Sequence, residues 1–250
     1  MTSDLVGYCL GLGDDALVLS HRLCEWATRS PAIEEDVALM NVALDLLGQA
    51  RALLSYAGEL EGRGRTEDDF AYLRQERDFS NVQLVELENG DFAVTIARQL
   101  LFSAYQCELY DALVASVDER LAGIAAKARK ETSYHRDHAS SWAVRLGDGT
   151  AESHERMVAG LEVVWPFAAE LFGPDPLLAG LASSGVAVDP SSLEEPWRRY
   201  VHSVLGEATL DVPETSWQPG GGRLGLHTEP FGYMLAEMQH LHRAFPGAQW

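Results

Sequence analysis

Along the first sixty residues, apolar positions return every three or four places. From Leu12 to Arg29 they fall at Leu12, Ala16, Leu19 and Leu23, and Pro31 stops the run. That spacing predicts a helix. Glu34 to Leu60 is the longest such pattern. Val37, Met40, Leu44, Leu47 and Leu54 mark one face, and Leu39, Leu46, Leu53 and Leu60 mark another. A helix apolar on more than one side is expected at the centre of a fold. Gly62 and Gly64 end it. Thr66 to Phe79 is amphipathic and reads as a short helix over the bundle end. Asn81 to Glu88 alternates weakly, as a short strand would, but reads better as an ordered connector ending in the Asn89-Gly90 turn.

Asp91 has the chemistry of an N-cap for a helix running to about Val117. Another follows from Asp118 to Leu146, closed by Gly147, Asp148 and Gly149. Thr150 is placed to cap a third, ending near Phe172 before Gly173-Pro174. Five long helices with short connections predict an antiparallel all-α bundle. Beyond Pro174 the texture changes. Short helical pieces, Asp175 to Ala182 and Ser191 to Leu205, sit between Pro-containing turns, and Pro219-Gly220-Gly221-Gly222 is a flexible or tightly turned loop. Thr228 followed by Pro230 fits the first turn of a last helix. With no low-complexity linker, residues 1–250 read as one domain. Its bundle core covers about 8–173 and a C-terminal helical extension about 174–250.

Length and composition agree with a single large core: 250 residues, 46% hydrophobic. Asp and Glu number 38 against 19 Lys and Arg, a net charge of −19. Such a surface repels nucleic-acid backbones and anionic lipid, so neither is an expected partner. It would attract a basic surface, or simply keep the protein soluble. No apolar run approaches the roughly 18 residues of a membrane span, and Met1-Thr2-Ser3-Asp4 lacks the regions of a secretion signal. Cys9, Cys24 and Cys107 are odd in number and far apart. They read as reduced, buried thiols of a cytoplasmic protein.

The candidate chemistry is confined to two stretches. Asn41, Asp45 and Gln49 recur every four residues as a polar line on the long apolar helix. Buried polar groups need partners, so the line is either a ligand site opposite His135 or a hydrogen-bonded seam between helices. Asn41 and Gln49 are neutral amides, which iron and manganese bind poorly, and that favours the seam. The second stretch, "ARKETSYHRDH" (128–138), carries Glu131, His135 and His138. Di-iron bundle proteins place Glu-x-x-His on each of two helices. Here Glu131 precedes His135 by four residues, and Thr132 stands at the position three before it. The pair His135 and His138 lacks the His-Glu-x-x-His context of a zinc helix, and His240 and His242 point to different sides. The glycine loop lacks the Gly-Lys-Ser/Thr ending of a phosphate-binding loop. Neither a Gly-x-Ser-x-Gly elbow nor a Gly-x-Gly-x-x-Gly fingerprint is present.

Taken together, "LGDDALVLSHRLCEW", "ALDLLGQARALLSYAGEL", "ERDFSNVQLVE", "KETSYHRDH" and "GLHTEPFGYMLAEMQHLHR" resemble the C subunits of multicomponent phenylacetyl-CoA epoxidases, the ring 1,2-epoxidases of aerobic phenylacetate degradation. The resemblance runs from about residue 8 to Trp250. It implies a ferritin-like fold and a chain that pairs with a related catalytic A subunit holding the di-iron centre. Laid on this sequence, the second-helix ligand motif falls on Leu46 and Gln49, the fourth-helix motif on Thr132 and His135, and the third-helix carboxylate near Ser103. The first-helix carboxylate falls near Asp15 or Ala16. One imidazole and one carboxylate cannot hold two irons. The resemblance therefore implies a non-catalytic structural subunit, with no catalytic, cofactor or metal residue of its own. It would associate with the A subunit and with other subunits, and self-associate or lose stability when isolated. Two rivals remain from other classes. One is a helical metal oxygenase in its own right, using Glu131, His135, His138 and Asp45. The other is a docking module for acyl-CoA or for a reductase.

Overall fold

The computed structural model describes residues 2–248, and these form helices and turns without a strand. Met1, Gln249 and Trp250 lie outside the described residues, so the last position of the resemblance is not placed. The bundle consists of α1 (Thr2–Cys24), α2 (Ile33–Glu61), α4 (Phe92–Leu113), α5 (Glu119–Gly147) and α6 (Ala151–Val164), with the short α3 (Glu67–Tyr72) at one end. α1 pairs with α2, α4 pairs with α5, and α2 also packs on α5. The extension adds α7 (Pro176–Ser183) against α1, α8 (Glu194–Glu207) against α4 and α5, and α9 (Glu229–Ala244) against α3. This is the expected all-α, ferritin-like bundle with a C-terminal helical extension.

Local chemistry sets the helix starts. Asp91 accepts the Val94 N–H at 3.0 Å and Asp118 accepts that of Leu121 at 2.8 Å. Thr150 and Ser153 form a capping box, as do Thr66 and Asp69. Each satisfies backbone donors that a first turn leaves free.

Several boundaries differ from the sequence reading. α1 begins ten residues before Leu12 and ends at Cys24 rather than Arg29. Its polar and glycine positions hid it, because Gly11 to Ser20 is buried all round and shows no single apolar stripe. Its end is set from outside, where Asn89 Nδ2 donates to the Arg22 carbonyl at 2.7 Å. The helix expected over Thr66–Phe79 breaks after Tyr72. There the buried Arg74 turns inward, donating to Asp14 and to the Asp78 carbonyl at 3.1 Å. α4 stops at Leu113, short of Val117. The run expected to reach Phe172 tightens at Trp165 into a 3-10 helix, because Pro166 has no N–H to continue the α ladder.

α2 is not the all-round core helix its pattern suggests. Leu39, Leu46 and Leu53 are fully buried, while Val37 is 58% and Leu44 65% exposed. It is also long and apolar enough, by length and composition, to cross a membrane, a property that scattered polar positions conceal when only unbroken apolar runs are counted. In the fold its inner side packs on α1 and α5.

The connector after Phe79 is ordered, as expected, and forms a buried 3-10 turn at Gln83–Glu86 rather than a strand. It anchors the extension. Glu86 accepts from Asn81 Nδ2 at 2.8 Å, from His227 Nδ1 at 2.8 Å and from the Thr228 N–H. The glycine-rich loop is tightly turned, not loose. Gly221 adopts φ +104°, and a Cβ on Gly222 would lie 2.1 Å from the Asn81 carbonyl oxygen. Only glycine permits that conformation and that approach. Glu170 then clamps the turn, accepting the Gly221 and Gly222 N–H groups at 2.8 and 2.7 Å.

Candidate functional site

α2 and α5 run antiparallel, so rising positions on one meet falling positions on the other. Tyr56 meets Asp118, Gln49 meets Glu131, and Asp45 meets His135. Gln49 is the hub. Its Nε2 donates to Glu131 Oε2 at 3.1 Å, while its Oε1 accepts from Gln106 Nε2 and Tyr110 OH of α4, both at 3.4 Å. Lys127 stands 3.5 Å from the far side of Glu131. One turn along, His135 Nε2 is 3.1 Å from Asp45 Oδ2, and His138 Nε2 is 2.9 Å from Glu35 Oε2. Burial lowers the His135 pKa, against the opposing pull of Asp45, which keeps the ring neutral at physiological pH.

The expected positions do not all converge. Leu46 is a fully buried packing residue. Ser103 and Thr132 turn their hydroxyls back onto their own helices, to the carbonyls of Gln99 and Ala128. The α4 side chains that reach the hub are Gln106 and Tyr110, one and two turns beyond the predicted Ser103. Asn41 is exposed, so of the predicted line Asn41, Asp45 and Gln49 the last two face the seam. A four-residue repeat drifts around a helix of 3.6 residues per turn, and over two repeats Asn41 rotates out of the contact.

On α1, Asp15 and Ala16 are both buried, and Asp15 is occupied from an unforeseen direction. Arg223, from the glycine-rich turn, grips it with Nη2 to Oδ2 at 2.6 Å and Nη1 to Oδ1 at 3.1 Å. The Val82 N–H donates to it at 2.8 Å. Burial pushes the Asp15 carboxyl up to about 6, with Arg223 holding it down, so it is ionised at neutral pH. Arg74 takes the adjacent Asp14 in the same way. Nothing near Arg223 in the sequence marks it as a partner of Asp15. Gln106 and Tyr110 could have been found as the turns following Ser103 on the same helix face.

A di-iron centre needs several carboxylates and imidazoles facing one point. Among the described residues no three His, Cys, Asp or Glu side chains are grouped so as to hold a metal ion. Glu131, Asp45 and Asp15 each face a different protein donor, and an amide occupies the central position. These residues do not fit the group.

The fold and the seam thus define a ferritin-like helical chain whose inner polar positions are closed on one another. It belongs to the phenylacetic acid catabolic protein family, whose pattern matches residues 1–250. It is 49% identical over 248 residues to the C subunit of the 1,2-phenylacetyl-CoA epoxidase of Escherichia coli strain K12, a match covering 99% of this chain and 100% of the relative.

Proposed function

We propose that this chain is the non-catalytic structural subunit of a phenylacetyl-CoA-epoxidising complex, pairing with and stabilising a di-iron catalytic subunit. The observation that carries the reading is the Gln49 hub. At the place where a working bundle would direct ligands at metal, an amide bridges Glu131, Gln106 and Tyr110. The subunit name of the 49% identical relative supports membership of a complex. Pairing is supported by the outer face of α2. Ile33, Val37 and Leu44 stand 75%, 58% and 65% exposed along one stripe of that helix. Contiguous apolar surface of this kind marks an interaction site, and obligate interfaces are the more hydrophobic class.

The test is co-expression with the catalytic homologue, followed by size-exclusion chromatography and elemental analysis of the separated chains. A stable heteromer should form, iron should reside with the partner, and Leu44→Glu should dissociate the complex without unfolding this chain. Stoichiometric iron on this chain, or no association at micromolar concentration, would sink the reading.

A further inference from the structure

Away from the seam, the extension closes a cavity against the bundle. It lies between the first turns of α1, the middle of α4, α7 and the Arg223 turn, and its volume is about 290 Å³. Two glycines one turn apart on α1 let these walls approach. A Cβ on Gly7 would lie 2.6 Å from Leu177 Cδ1, and one on Gly11 3.0 Å from Arg223 Nη1. Leu12, Leu109 and Leu178 supply apolar lining, and the Tyr105 ring an aromatic one.

The polar groups of the cavity sort into spent and unspent. Arg223 is spent on Asp15 and on the carbonyls of Gly11 and Ser80. Glu170 is spent on three backbone N–H groups, those of Gln83, Gly221 and Gly222. Asp175 caps α7 through the Leu177 N–H. Tyr8 is unspent. Its side chain is buried, and its hydroxyl, facing the Val188 backbone, completes no hydrogen bond of normal geometry. Burial pushes its phenol far above the usual range, so the O–H is retained as a donor. Buried donors without partners are rare and call for an explanation.

We propose that this cavity binds an uncharged aromatic carbonyl compound, its ring against Tyr105 and the leucines and its carbonyl oxygen accepting the Tyr8 hydroxyl. Size agrees, since a dry apolar cavity of about 150 Å³ holds a benzene ring and this one has room for a ring with a short arm. Charge agrees as well. With Arg223 neutralised by Asp15 and two carboxylates in the wall, an anion would be desolvated without a cation to meet it. The site is separate from the α2–α5 seam and does not depend on pairing.

The probe is phenylacetamide, titrated into the full chain by calorimetry and followed by ligand-observed NMR, with phenylacetate as the charged counterpart. Saturable one-to-one binding is expected, at least tenfold weaker for phenylacetate. Tyr8→Phe should weaken it about tenfold, the worth of one good hydrogen bond. Leu109→Trp, which fills the cavity, should abolish it. Thermal melts establish that each variant is folded, and Tyr8→Phe alone suffices if the bulkier change does not fold. Absence of saturable binding to the folded chain, or binding that both folded variants leave unchanged, would overturn the assignment.

Discussion

Arg223 and Asp15 are 208 positions apart in sequence and lie 2.6 Å apart in the fold, as a two-pronged ion pair in which Asp15 is buried and Arg223 keeps a partly exposed edge. The pair joins the C-terminal extension to the first bundle helix. It also gives the α1 carboxylate a guanidinium for a partner. A pair with a buried carboxylate is a poor source of net stability, because desolvation offsets most of the attraction. Removing one member is another matter, since it strands a charge.

Arg223→Met should therefore destabilise the chain by roughly 3–5 kcal/mol. Adding Asp15→Asn should recover a large part of that, because the amide oxygen still accepts the Val82 N–H while no charge is left buried. Denaturant melts of the single and double variants measure both effects. Equal stability of the two would mean that Asp15 is not a stranded charge when Arg223 is gone.

His227 links the same extension to the core and carries a pH dependence. Its side chain has no exposed surface, and both ring nitrogens face acceptors, Glu86 at 2.8 Å and the Phe79 carbonyl at 3.1 Å. Two acceptors require two N–H donors, so the bound form is the imidazolium. Burial works against that charge, but Glu86 and the carbonyl outweigh it and raise the pKa. The native state then holds a proton that the unfolded chain releases near pH 6.5. The contribution is complete below that pH and is lost as pH rises through the raised value. His227→Gln should flatten this alkaline decline in melts taken from pH 6 to 9. An unchanged slope would show that the ring is neutral in the fold.

The bundle was legible in the sequence because its caps and stripes are local signals. Asp91, Asp118 and Thr150 announce helix starts within three residues, and the α2 pattern is right to within a residue at each end. α1 was shortened for the opposite reason. A helix buried on every side carries glycines and paired aspartates in place of a stripe, so periodicity weakens where packing is densest. The seam was half legible. Asp45 and Gln49 share one face of α2 and Glu131 and His135 one face of α5 by helix geometry alone, and the two faces meet. Arg223, Gln106 and Tyr110 join only through tertiary packing. The exposure of Val37 and Leu44 could not be told from burial, since an apolar face looks the same in sequence whether it meets its own core or another chain.

His135 is the ligand-type residue left at a motif position, and it separates the rival readings. Its side chain is 1% exposed, and it pairs with Asp45, itself 37% exposed. As a metal ligand, its loss would lower turnover of the complex by orders of magnitude, because a metal centre fails as a unit. As part of a seam, its loss leaves a small cavity and a carboxylate that water partly satisfies. His135→Ala should then destabilise this subunit by about 1–3 kcal/mol, a fall of several degrees in Tm for a chain of this size. Turnover per intact complex should stay within a few-fold of wild type. The pH dependence offers a second readout. Because burial lowers the His135 pKa, the unfolded chain takes up a proton near pH 6.5 that the folded chain refuses, so stability should fall as pH drops below that value. His135→Gln should remove this acid-side slope, opposite in sign to the slope assigned to His227. The measurements are turnover of size-selected complex and melting curves from pH 5 to 8. A hundredfold loss of turnover with an unchanged melting curve would mark His135 as part of an active site.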